Sequence, residues 1–120
     1  MSDKDIKESL KNFKEEFGNL LDPVAFLSEK NPELCETFLK LHELTLNEGV
    51  LSKKHKFLMH AAITAAQHDY EATAMHITGA IKAKASDREL LETAFTLIPV
   101  AGMPAFAIFL KALQKAMGSK

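Results

Sequence analysis

AQHDYEATAMHITGAIKAKASDRELLETAFTLIPVAGMPAFA, residues Ala66–Ala107, carries the densest punctuation in the chain and decides its fold class. Ser86 and Glu89 stand three apart ahead of an apolar run, the spacing of a capping box in which each side chain satisfies a backbone N–H of the helix start. Pro99, Gly102 and Pro104 then interrupt the apolar run, because proline lacks the N–H and the ring clearance that a helix interior needs. The stretch therefore predicts a helix from about Tyr70 to Lys84, another from Asp87 to about Ile98, and a last one from about Pro104 to Met117.

Working outward toward the N-terminus, Ser52 caps a helix from Lys53 to about Gln67. Its first turn, Lys53, Lys54 and Lys56, is basic and opposes the helix dipole, so a neighbouring carboxylate or an anionic ligand is expected to compensate. Asn31 as cap and Pro32 as first helical residue start a helix to about Leu46, and Asn47-Glu48-Gly49 is expected to close it with a left-handed glycine. Residues 3 to 21 space Ile6, Leu10, Phe13, Phe17, Leu20 and Leu21 by threes and fours, a first amphipathic helix ended by Gly18 and Asp22-Pro23. No alternation of β type, repeat or long linker occurs. The fold class is all-α, an antiparallel bundle of about six helices in one domain, 1–120.

Fifteen basic against sixteen acidic residues leave a net charge of −1, which excludes a strong field for nucleic acid or anionic membrane. Cys35 is the only cysteine, so an internal disulfide and multi-cysteine metal motifs are excluded, and a cytoplasmic location is expected. The charged N-terminus does not read as a secretory signal. Thr93 to Leu110 lacks formal charge, but its prolines and glycine divide it, so a membrane span is not expected. The helices from Lys53 and Pro104 are apolar or small around most of their circumference, more than one small core can bury, and a homo-oligomer follows.

Among the polar residues, His76 lies in mid-helix between Met75 and Ile77, and it is of the side-chain type generally suited to proton transfer near neutral pH. His60, His68 and His76 are evenly spaced. A hairpin turning near His68-Asp69 would bring His60 and His76 to one level, with Lys56 and Phe57 a turn away. Two imidazoles and Lys56 could then hold a carboxylate. They could hold a metal only if Glu71 or Asp69 joined, since such sites take three or four ligands, and neither a metal nor a cofactor is expected. Glu71 also has a plain role, stabilising a helix start. His42 and His55 are expected at the surface.

His76, Ala80, the run Ala85-Ser86-Asp87-Arg88-Glu89-Leu90 with Glu92, and Ala101-Gly102-Met103-Pro104-Ala105 together resemble the carboxymuconolactone decarboxylase family, which includes alkyl hydroperoxidase D-like proteins. The resemblance covers about residues 50 to 110, with residues 50–117 as family core and 1–48 as variable N-terminal helices. It implies an all-helical fold and homotrimers or homohexamers. It also implies either dithiol peroxide reduction or decarboxylation of a lactone carboxylate. The hydroperoxidase cysteine positions are Asp69 and Ala72 here, and its glutamate position is Phe57. Dithiol chemistry needs a low-pKa thiolate with a resolving thiol beside it, so that branch is not expected.

The decarboxylase branch also departs in one place, because the acid expected four residues before the histidine is Ala72, with Glu71 adjacent. The reading is thus a decarboxylase-like protein without redox dithiol, acting by proton transfer on a small carboxylated or lactone substrate. His76, His60, Lys56 and Glu71 are its candidate site residues. The alternatives are a catalytically inactive helical oligomer acting as a ligand-binding or structural protein, and a thiol peroxidase or hydroperoxide reductase that relies on Cys35.

Overall fold

A computed structural model describes residues 3–18 and 22–118. They form seven helices: α1 (Asp3–Phe17), α2 (Asp22–Lys30), α3 (Pro32–Leu46), α4 (Lys53–Ala66), α5 (Tyr70–Lys82), α6 (Asp87–Thr96) and α7 (Ile98–Gly118), with no strand among the described residues. The all-α class is as expected, with one helix more. The chain divides into two compact units, Met1–Asn47 and Glu48–Lys120.

In the first unit, α3 packs against α1 and α2. Asn31 Oδ1 accepts from Leu34 N at 3.0 Å and Pro32 follows it, so α3 starts where the sequence places it. Phe13, Phe17 and Phe38 surround the His42 ring, with centroids 5.6, 5.2 and 5.9 Å away, so this histidine is half-buried in an aromatic cluster rather than at the surface. Asp22-Pro23 begins α2 instead of merely ending α1. Proline's fixed φ suits a first helical turn as well as it blocks an interior. The expectations for Leu20 and Leu21 lie outside the described residues. Gly18, at φ 77°, does end α1, with its N–H bonded to Lys14 O.

Gly49 does not adopt the left-handed conformation that the sequence suggests for the end of α3. Asn47 turns the chain out in extended form instead (φ −60°, ψ 149°). In the second unit the left-handed turns that end α4 and α5 fall on His68 (φ 61°) and Lys84 (φ 77°). Both residues carry a Cβ that disfavours this region.

The centre of the second unit is the α4–α5 hairpin, with α7 packed on both of its helices and α6 packed on α7. Ala61, Ala65, Ile77, Ala80, Leu90, Ala94, Ala105, Phe109 and Ala112 are fully buried. So many small residues let helix backbones approach closely. At one crossing a Cβ on Gly79 would lie 2.5 Å from Phe57 Cε1, so the Phe57 ring occupies the space that any larger residue would need.

The capping box of α6 is complete: Glu89 N donates to Ser86 Oγ at 3.1 Å and Ser86 N to Glu89 Oε1 at 2.9 Å. The basic first turn of α4 finds carboxylates. Glu48 Oε1 accepts from Lys53 N at 2.7 Å, and Lys54 Nζ lies 2.8 Å from Glu89 Oε2. The break expected between Pro99 and Pro104 is a kink inside α7 at Gly102 (φ 85°, ψ 172°), which turns the chain just before Pro104 restarts the helix. Among the described residues no helix is long and apolar enough to cross a membrane.

Candidate functional site

The equal eight-residue arms on either side of His68 have the geometric effect that antiparallel pairing requires. The chain reverses at His68-Asp69, and His60 of α4 meets His76 of α5 with ring centroids 5.0 Å apart at 84°, edge to face. His76 is buried at 6% exposure and His60 is half-buried. The pair opens into a recess of about 200 Å³ that Ile63 and Thr64 complete.

Sequence reading did not single out Thr64, although it stands one helical turn beyond His60 and thus on the same face. Its hydroxyl lies 3.0 Å from His60 O and 2.9 Å from Thr73 Oγ1, and Thr73 in turn donates to Asp69 O at 2.7 Å. These bonds tie the two helices together beside the histidines and fix the wall of the recess.

Burial lowers the His60 pKa below the ordinary value, and the charge of Lys56 lowers it further. Both causes oppose the imidazolium, so at neutral pH His60 is a neutral ring able to accept a proton. Lys56 is half-buried one turn before His60, and its Nζ approaches Gly49, where a Cβ would stand 3.8 Å away.

Glu71 is placed apart from this group. Its carboxylate meets Lys115 Nζ of α7 at 3.2 Å, in an exposed ion pair over which the Tyr70 ring also takes part in a cation–π contact. Five residues separate Glu71 from His76, which turns them about 140° from each other around α5. Asp69 Oδ1 caps α5 by accepting from Ala72 N at 3.0 Å. Neither carboxylate joins the histidines as a third ligand. The structure thus brings together His60 and His76, with Lys56 close enough to act on His60 through its charge, and leaves Glu71 as a helix-end residue.

Phe57 is buried at 1% exposure and interlocks with Gly79, so the position that a hydroperoxidase would fill with glutamate is part of the core here. Cys35 is fully buried on α3, and its pKa is raised by that burial, the opposite of what a reactive thiol requires.

The whole chain is similar in fold to a solved "putative carboxymuconolactone decarboxylase" from Burkholderia xenovorans LB400. The two share 21% identity and a TM-score of 0.77 over 100% of this chain and 99% of that one. No curated protein matches the chain. The sequence model of the carboxymuconolactone decarboxylase family matches residues 32–115. The match takes in α3 as well as the helices of the second unit, so the family segment reaches further toward the N-terminus than the motifs around His76 and Ser86 indicate. With most of its length inside that match, the chain belongs to the carboxymuconolactone decarboxylase family.

Proposed function

We propose that the recess at His60 and His76 handles a small carboxylated or lactone substrate by proton transfer, as a decarboxylase-like enzyme without a redox dithiol. The observation that carries this reading is the pair itself: two imidazoles edge to face at 5.0 Å, opening into one recess, with His60 held neutral by burial and by Lys56. Lys56 supplies the positive charge that attracts a carboxylate toward that end of α4. On decarboxylation the carbon–carbon bond to the carboxylate breaks and carbon dioxide leaves. The bonding pair enters the conjugated lactone. The proton that replaces the carboxylate on carbon comes from water, relayed through the histidine pair: a neutral imidazole first takes up a proton and then, as imidazolium, gives it to the carbon. His76 and His60 are the proposed catalytic residues, and Glu71 drops to a structural role. The location we propose is cytoplasmic, the compartment expected for a chain whose single cysteine forms no disulfide.

The test is carbon dioxide release from carboxymuconolactone by the purified protein. Positioned acid–base groups contribute about 10²- to 10⁴-fold. His76→Ala and His60→Ala are therefore each expected to lower the rate at least a hundredfold while helix content stays constant. Unchanged turnover in both variants removes the histidines from the mechanism.

A second reading, ligand binding without turnover, draws on the size of the recess. At about 200 Å³ it falls below the ~300 Å³ at which ordinary small-molecule sites begin. Saturable binding of small carboxylates with no carbon dioxide release would favour it.

We also propose self-association, for which α3 and the α7 kink supply apolar surface. Leu41 and Leu44 are 62% and 68% exposed, and Val100 and Met103 are 83% and 59% exposed.

A further inference from the structure

A second concave site lies on the other side of α4, toward α6. It measures about 460 Å³ and is lined by Leu51, Leu58, Met59 and Ala62 together with His55, Glu89, Glu92, Thr93 and Thr96. At 100° per residue, His55, Leu58, Met59 and Ala62 occupy the face of α4 roughly opposite His60 and Thr64. Glu89, Glu92, Thr93 and Thr96 occupy one face of α6 at spacings of three and four. The groove therefore shares no lining residue with the histidine recess.

Its volume falls in the range of ligand sites, and its chemistry is one-sided. Leu58 forms a buried floor, and Leu51 and Met59 rise as half-exposed walls. Of the two carboxylates, Glu89 is committed: it takes Lys54 Nζ at 2.8 Å and Ser86 N at 2.9 Å. Glu92 makes no ion pair among the described residues. The hydroxyl protons of Thr93 and Thr96 go to Glu89 O at 2.7 Å and Thr93 O at 2.6 Å, so these oxygens can only accept from a ligand. The α6 wall thus presents one uncompensated negative charge and a row of acceptors above an apolar floor.

From this pattern we infer that the α4–α6 groove binds a small primary amine with an apolar body. Its ammonium group sits at Glu92, with Thr93 or Thr96 accepting a further hydrogen bond, and its hydrocarbon or aromatic part lies on Leu58 and Met59. An ammonium group brings three donors and a positive charge to a wall that has neither. The thioether of Met59 suits an aromatic body. A carboxylate in the same place would face Glu92, while Lys54, the cation bonded at this wall, is already engaged by Glu89.

The experiment is a titration of the full chain with phenethylammonium, read at the methionine methyl resonances, with hydrocinnamate as the anionic counterpart of similar shape. Phenethylammonium is expected to shift the Met59 methyl saturably and leave Met103 and Met117 in place. Glu92→Gln is expected to weaken it about three- to tenfold, the scale of one partly exposed charge pair. Glu92 is exposed and its side chain makes no ion pair among the described residues, so the variant is expected to fold, which circular dichroism checks. Three results would overturn the inference: equal shifts by hydrocinnamate, an affinity unchanged in Glu92→Gln, or cross-relaxation of the Met59 methyl with a second copy of the chain. The last would assign the groove to a subunit contact.

Discussion

Phe57 and Gly79 show how much of this family member's character rests on single residues. A glycine in mid-helix costs about 0.5–1 kcal/mol relative to alanine, and it is tolerated here because the Phe57 ring lies where its Cβ would be. Gly79→Ala therefore sets a gain in helix propensity against an overpacking penalty of about 1–3 kcal/mol, and the penalty wins at a 2.5 Å approach to a buried ring. The expected result is a net loss of about 1 kcal/mol in urea unfolding, reversed at least in part when Phe57→Leu is added. Unaltered stability in Gly79→Ala would mean that the ring moves aside without cost. The same ring explains why sequence reading could note the absence of the redox glutamate but not its consequence. Phe57 is named by the sequence, whereas its partner lies on another helix.

Helix ends set the pH behaviour of the second unit. Glu89 stands at the start of α6, bonded to Ser86 N and Lys54, and these bonds lower its pKa to about 2, the Lys54 bond contributing most. A carboxyl with a folded pKa below its unfolded value binds fewer protons folded than unfolded, so its contribution is complete above the ordinary value near 4.5 and is lost as pH falls toward about 2. The acid limb of a stability curve between those values is expected to flatten in Glu89→Ala, with little change in slope above pH 6; an acid limb as steep as wild type would show that other carboxyls carry it. His60 acts in the same direction at higher pH. Its lowered pKa favours the neutral ring, so its contribution is full above about 6.5 and declines as pH falls through the folded value. The element boundaries themselves were legible where a capping side chain was read, at Asn31, Ser52 and Ser86, whereas the Asp69 cap of α5 was not read as one. They were misread at Asp22-Pro23, because proline both ends and begins helices.

For the molecule as a whole, α3 exposes Leu41 and Leu44 and the α7 kink exposes Val100 and Met103, and the proposed association of copies would remove these side chains from water. Light scattering at micromolar concentration is expected to report a multiple of the 13.3 kDa chain mass. A monomeric mass would leave Leu41, Leu44, Val100 and Met103 without an explanation. Leu44→Lys together with Val100→Lys is expected to shift any assembly toward monomer while leaving each unit folded, because both side chains are exposed.

By itself the sequence determined the helical class, most helix starts, the capping box at Ser86, the break at Gly102 and the family resemblance. All of these depend on interactions within four residues or on periodicity along one helix. Equal spacing about His68 also made it possible to expect His60 opposite His76. The tertiary structure decided the rest: the edge-to-face meeting of those rings, the Phe57–Gly79 interlock, the removal of Glu71 to Lys115, and the opening of a groove on the far side of α4. Each depends on the rotation of one helix against another, which is set by the summed packing of many small side chains rather than by any local motif.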